Sequence, residues 1–299
     1  MTVNPRVVVG VDGSPPSTCA VRWATGTAAL HNAPLLLLSA WAIPVAGYSG
    51  IGMPKWFFDG QEAEGKRRLA EATRIAHEAA LGGELTMTSE LVAGPAIATL
   101  LERSRDARMV VLGSRGMGAV TAGLLGSVTT ALAHHAYSPV AVIREWPRTT
   151  DPADPTAQGP VVVGVDGSAN SQPAIAMAFE EASLRGADLV AVHAWSDVTM
   201  PTPSPHDQGL PWQSIKTAEQ ATLTESLAGF TERYPDVAVR QVVVQDKPAH
   251  HLLSYADTAS LLVVGSHGRG GFTGMLLGST STALLHVTKC PLLIVRGPR

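Results

Sequence analysis

The stretch Gly265–Ser279, GSHGRGGFTGMLLGS, decides how the rest of the chain is read, and it has a twin at Gly113–Ser127, GSRGMGAVTAGLLGS. Each copy follows a short apolar, strand-like run, Leu261–Val264 or Met109–Leu112, and leads into an Ala/Leu-rich helical segment. The anchors keep one spacing: Gly, two residues, Gly, nine residues, Gly-Ser. Glycine lets backbone amides approach a ligand because no Cβ intervenes, and positive φ costs it little. Where such a loop feeds a helix N-terminus, unpaired amides and the helix dipole favour an anion. The stretch reads as a phosphate cradle, present twice. The plain alternative is an αβ connection, and nine residues between glycine anchors is long for one.

Self-comparison extends the repeat to the whole chain. VVVGVDGS at Val7–Ser14 recurs letter for letter at Val161–Ser168, and Ala40-Trp41 returns as Ala194-Trp195. Pro95-Ala96 returns as Pro248-Ala249, with the offset drifting by single-residue gaps. One domain is duplicated: residues 1–146 form the first copy and 160–299 the second. The Pro-rich, polar Pro147–Gly159 between them reads as a linker.

Within each half, strands alternate with helices. The first half gives strands at Val7–Val11, Leu35–Ala40, Leu85–Val92, Met109–Leu112 and Val140–Arg144. Helices are expected at about Ser17–His31, Glu62–Leu81, Pro95–Arg105 and Ser127–Ala136, with a loop over Ala42–Gly60. The second half repeats the order, including a helix at about Gln172–Arg185, a loop at Ser196–Trp212 and a long helix at about Ile215–Tyr234. This alternation predicts an α/β fold, a parallel sheet with helices on both faces. Ligands of such sheets sit beyond the carboxyl ends of the strands, where the chain switches direction. Asp12 and Asp166, directly after strand one, fall there, as do both glycine loops. Each carboxylate suits ribose hydroxyls or an adenine amine. In the DGS context each also suits an Asx turn or helix N-cap.

GVDGS after the first strand, with G-x2-G-x9-G-S after the fourth, resembles the universal stress protein family, specifically its ATP-binding branch and the tandem-domain members of mycobacteria. The likeness covers both halves. It implies two tandem Rossmann-like domains, each a five-stranded parallel sheet, with ATP, with or without Mg²⁺, between the strand-one Asp and the glycine loop. Carried onto matching positions, Asp12 and Asp166 would contact the nucleoside. Gly113 and Gly116, with Gly265 and Gly268, would pass along the ribose and first phosphate. Gly126-Ser127 and Gly278-Ser279 would serve the outer phosphates. Backbone at Ala40 and Ala194, and at Val92 and Val244, would line the adenine. The halves differ: Met117-Gly118-Ala119 stands against Arg269-Gly270-Gly271, Arg115 against His267, and Ala93-Gly94-Pro95 against Asp246-Lys247-Pro248. Unequal affinities are expected.

Composition narrows the classes. The 299 residues are 45% hydrophobic with a net charge of −3, so no basic footprint suggests nucleic acid. No apolar run is long enough to span a bilayer, and MTVNPRVVVG lacks a signal peptide's layout. Cys19 and Cys290, the only cysteines, suggest a reducing cytoplasm and packed thiols. Gly60–Lys66, GQEAEGK, mimics a P-loop but lacks the Ser/Thr and the preceding strand. His134-His135 and His250-His251 are adjacent and make poor metal pairs. Trp41 and Trp195 read as packing residues. No general base or Lys finger for phosphoryl transfer is evident.

The function expected is ATP-dependent regulation of stress or dormancy responses, the stress role coming from the resemblance alone. The alternatives are a weak ATP hydrolase or adenylyl-transferring enzyme, and an adaptor with ATP as structural cofactor. Apolar fifth strands at Val140–Ile143 and Leu292–Val295 invite pairing of the two domains, with a homodimer as a further assembly. The residues identify no protein partner.

Overall fold

A computed structural model describes residues 4–41, 54–80, 84–116, 125–144, 159–195, 212–268 and 276–297. The expected linker up to residue 158, the loop segments 42–53 and 196–211, and the middles of both glycine loops, 117–124 and 269–275, lie outside the described residues. The contrast between Met117-Gly118-Ala119 and Arg269-Gly270-Gly271 therefore lies outside them too. Contacts divide the chain into two compact units, Met1–Trp146 and Pro147–Arg299.

Unit 1 runs β1 (Arg6–Gly10), α1 (Pro15–Leu30), β2 (Leu35–Trp41), α2 (Lys55–Ala79), β3 (Met87–Ala93), α3 (Ala96–Arg103), β4 (Ala107–Gly113), α4 (Ser127–His135), β5 (Val140–Ile143). Its strands are parallel in the order β3-β2-β1-β4-β5. Unit 2 runs β6 (Val161–Val165), a 3-10 turn (Ala169–Ser171), α5 (Gln172–Arg185), β7 (Leu189–Trp195), α6 (Trp212–Arg233), β8 (Val239–Gln245), α7 (Pro248–Ala256), β9 (Leu261–Gly265), α8 (Ser279–Val287), β10 (Leu292–Val295). Its order, β8-β7-β6-β9-β10, is also all parallel.

The strands are continuous apolar runs because both faces are covered. Val7, Val8, Val9, Leu35 and Met109–Val111 are buried, as are Val161–Val163 and Leu261–Val263. In unit 1, α1 packs on β1 and β4 beside α2, while α3 packs on α4. Right-handed crossovers send those two helix pairs to opposite faces. Both units are Rossmann-like α/β sheets. In each, the order reverses where the first strand meets the fourth, between β1 and β4 or β6 and β9, and this opens a crevice at their carboxyl ends.

Several boundaries differ from expectation. α2 begins at Lys55, inside the stretch read as loop, and not at Glu62. Its first turn is held by an exposed Lys55–Asp59 pair at 2.8 Å and by Phe58 against Trp41, ring centroids 6.2 Å apart. Phe58 is thus a helix-face residue anchoring to β2, while Trp56 stays exposed. The P-loop mimic lies wholly inside this helix. Its Gly65 packs where a Cβ would stand 2.5 Å from Leu91 Cδ1, so that glycine serves the helix–β3 contact. α1 starts at Pro15, two residues early, because consecutive prolines fit the first helical positions. Pro95 caps α3 from outside the helix. Burial pushes the Cys290 thiol up to about 12, which keeps it protonated and unreactive at neutral pH.

Candidate functional site

Both strand-one carboxylates place their two oxygens differently. Asp12 Oδ1 accepts the Ser14 N–H at 2.9 Å and the Ser14 hydroxyl at 2.7 Å. Asp166 Oδ1 accepts the Ser168 N–H at 2.9 Å and the Ser168 hydroxyl at 2.8 Å. These are Asx turns, and the central glycines, Gly13 at φ 84 and Gly167 at φ 74, occupy the left-handed region each turn requires. The other oxygen faces the glycine loop. A Cβ on Gly116 would lie 2.5 Å from Asp12 Oδ2, and one on Gly268 would lie 2.9 Å from Asp166 Oδ2. Asp166 Oδ2 is buried and accepts no hydrogen bond among the described residues.

The glycine loop closes on itself the same way in both units. The Gly126 N–H donates to Ser114 O at 2.9 Å, and the Gly278 N–H to Ser266 O at 2.7 Å. Gly126 lies against the Arg115-Gly116 backbone, and Gly278 against His267-Gly268. This draws the start of α4 or α8 back beside the strand that precedes the loop. The Thr129 hydroxyl donates to Gly113 O and the Ser281 hydroxyl to Gly265 O, each at 2.7 Å. The N-caps of α4 and α8 are Gly126 and Gly278, with no side-chain cap bond. The first-turn amides, beginning at Ser127 and Ser279, are thus free of a capping side chain, and the dipole adds positive potential there.

Gly113 and Gly265 end the strands under these loops but are packed differently. A Cβ on Gly113 would stand 2.7 Å from Pro16 C and from Ser17 N. The nearest atom to a Cβ on Gly265 is His267 O at 3.2 Å. The four positions expected to line an adenine fall in pairs at the carboxyl ends of neighbouring strands. Ala40 is in register with Val92 and Ala194 with Val244, all half-buried. The pairs are closed by Gly94 N–H to Trp41 O and Asp246 N–H to Trp195 O, both 2.8 Å.

The structure therefore brings Asp12, Gly113, Gly116, Gly126 and Ser127 together in unit 1. It brings Asp166, Gly265, Gly268, Gly278 and Ser279 together in unit 2. The acceptor oxygen on one side asks for donors from a ligand, and the amides on the other ask for an anion.

Sequence reasoning missed the hydroxyls of Thr129 and Ser281. Their signal is a Thr or Ser two residues after each Gly-Ser. It also missed His193, the one ionisable residue in the apolar run of β7, at the place Ser39 holds in β2. His193 is wholly buried, with Nδ1 2.8 Å from Val165 O and Nε2 2.7 Å from Glu219 Oε2 on α6. It braces the strand end from which Asp166 projects. The adjacent histidine rings lie beside each other, tilted at 6.2 Å between centroids for His134–His135 and edge-on at 5.6 Å for His250–His251. Among the described residues no cluster of three His, Cys, Asp or Glu is arranged to hold a metal.

Comparison with known proteins covers both units. The model of the Universal stress protein family matches residues 4–144 and again 159–296. The chain belongs to the universal stress protein family. Universal stress protein Rv2005c of Mycobacterium tuberculosis is 46% identical over 293 residues, covering 97% of this chain and 96% of that protein. Universal stress protein Rv1996 of the same organism is 43% identical over 315 residues, covering 99% and 96%. Among solved structures, a universal stress protein from Archaeoglobus fulgidus has a TM-score of 0.70 at 19% identity, covering 99% of this chain and 98% of that one, a likeness of fold. No described helix is long and apolar enough to cross a membrane.

Proposed function

We propose that this universal stress protein is a cytoplasmic, ATP-binding regulator of stress or dormancy responses with little or no catalysis of its own. The observation that carries the nucleotide reading is Asp166 Oδ2, a buried carboxylate oxygen with no partner among the described residues, set against Gly268. An orphaned buried acceptor costs about 1–3 kcal/mol, and a ligand that brings hydroxyl or amine donors recovers it. A few ångströms on, the uncapped start of α8 asks for the opposite chemistry. A molecule with vicinal hydroxyls at one end and an anionic chain at the other answers both, and a nucleotide is such a molecule. Ala194 and Val244 offer backbone to its base, and the unit 1 counterparts repeat the pattern. Any Mg²⁺ is held chiefly by the phosphates.

The reading is tested on freshly purified full-length protein. Mass analysis of released small molecules should find an adenine nucleotide, and ATP should raise the melting temperature. At 100 times its Kd a ligand stabilises the fold by about 2.7 kcal/mol. Protein that carries no adenine nucleotide and melts unchanged with ATP overturns the proposal. Turnover of Mg-ATP that is lost with the same site residues makes the chain an enzyme instead.

A further inference from the structure

The described parts of the two sites diverge most after the third strand of each unit. The closing bonds to Trp41 O and Trp195 O put Gly94 in register with Asp246. The N-caps that follow, Pro95 of α3 and Lys247 of α7, correspond in turn. Lys247 therefore stands where unit 1 has Pro95, and the same offset carries on to the buried Leu100 and Leu252, each packed over the glycine of its first strand. Asp246 and Lys247 both take the left-handed backbone, at φ 54 and φ 45, whereas Pro95 is held at φ −64.

This replacement sets a cation beside the cradle. Lys247 is exposed and makes no ion pair among the described residues. With Pro248, Ala249 and His250 it faces Ser279 and Thr280, the first turn of α8, across a pocket of about 460 Å³. This pocket continues the crevice already described. Ser279 follows Gly278, a Cβ on Gly278 would be 3.8 Å from Gly268 N, and Gly268 sits against Asp166 Oδ2. A ligand held at Asp166 and passing the glycine loop meets the α8 amides and then Lys247.

We propose that Lys247 makes the unit 2 site selective for the length of a nucleotide's phosphate chain. Nucleoside di- and triphosphates are favoured over the monophosphate, and unit 1 lacks this discrimination. This rests on the nucleotide reading of the crevice. AMP and ATP present the same base and ribose to Asp166, whereas each added phosphate brings charge that an ammonium at the far end attracts. In unit 1 the position beside α4 is served by Gly94 and Pro95, which carry no charge.

The test uses the full chain with unit 1 silenced by Gly116→Val. Dissociation constants for AMP, ADP and ATP are measured by calorimetry for this background and for Lys247→Gln, Lys247→Gly and Lys247→Arg added to it. Lys247→Gly relieves the left-handed backbone, which guards against loss of binding through misfolding. The preference for ATP over AMP should fall about tenfold in the Gln and Gly variants and return with Arg. An unchanged preference, or a parallel weakening of AMP and ATP, overturns the selectivity while leaving nucleotide binding standing. A background protein that binds none of the three overturns both.

Discussion

Units 1 and 2 share a mechanism of construction and differ in how tightly it is closed. In both, Asp Oδ1 is spent on an Asx turn and Oδ2 faces a glycine, and the cradle is tied to its strand through Thr129 or Ser281. Unit 1 adds Pro15-Pro16 and a Ser14 side chain that accepts the Ser17 N–H, so α1 starts at once and presses on Gly113. The Ser14 hydroxyl also lies 3.2 Å from Arg115 O, linking the two arms of the site. Unit 2 instead passes through the 3-10 turn Ala169–Ser171, whose N-cap Ser168 makes no side-chain cap bond. It also gains Lys247 at the opposite wall. The carboxylate–glycine geometry is kept in both copies, while the supports around it have drifted. Unequal sites are what such supports would produce.

The sharpest way to break this comparison is to fill the glycine that faces each carboxylate. Gly116→Val and Gly268→Val each drive a side chain into the space beside Asp12 Oδ2 or Asp166 Oδ2. The obstacle is the end of a side chain, so the carboxylate is displaced and the sheet remains. Each variant should lose about 100-fold or more in nucleotide affinity at its own unit, ~3 kcal/mol, with unchanged circular dichroism. The double variant should bind nothing. Binding that survives the double change overturns the residue assignments.

The next test asks whether unit 1 is the more tightly closed. At Gly113 a methyl meets backbone, Pro16 C and Ser17 N, which cannot move without shifting α1. At Gly265 it meets His267 O at 3.2 Å, a contact relieved by a few tenths of an ångström. Gly113→Ala should destabilise its unit by ~2–3 kcal/mol and Gly265→Ala by ~1 kcal/mol or less. Hydrogen exchange followed unit by unit reads each separately. Equal costs in the two units would remove the contrast drawn from these glycines.

Most of the fold was legible because its signals are local and doubled. Apolar β-branched runs, the repeated VVVGVDGS and the glycine spacing survive translation into structure at nearly the same residues. What was illegible depended on contacts distant in sequence. Lys55–Asp59 looked like loop because Pro54 and the aromatics read as breakers, and only Trp41 explains why they are helical. His193 reads as an oddity in a strand until α6 brings Glu219 to it. The sequence set Asp246-Lys247-Pro248 against Ala93-Gly94-Pro95. That Lys247 takes the place of Pro95 emerged only from the backbone bonds that register Gly94 with Asp246 and from the helix caps that follow. For the carboxylates, binding and turn-forming were alternatives on paper. In the structure Oδ1 makes the turn, and Oδ2 is left facing the glycine loop.

The smallest expected effect lies away from the crevice and separates the units by pH. In unit 1, Arg103 on α3 holds Glu90 on β3, with Nε to Oε2 at 3.1 Å. The equivalent places in unit 2 are Val242 and Tyr255, neither of them charged. The hydrogen bond from Arg103 holds the Glu90 carboxyl below its ordinary 4.5, against the opposing push of partial burial. A depressed carboxylate contributes stability that is present above its unfolded pKa and lost as pH falls through the folded one. Both side chains are about one-third exposed, at 31% and 37%, so solvent screening limits the contribution to ~0.5–1 kcal/mol. Glu90→Gln should therefore weaken unit 1 by that amount at neutral pH and leave unit 2 unmoved. The gap between wild type and variant should close as pH drops below the range where Glu90 normally titrates. A gap that persists at low pH would mean that packing of the Glu90 side chain, and not its charge, joins β3 to α3.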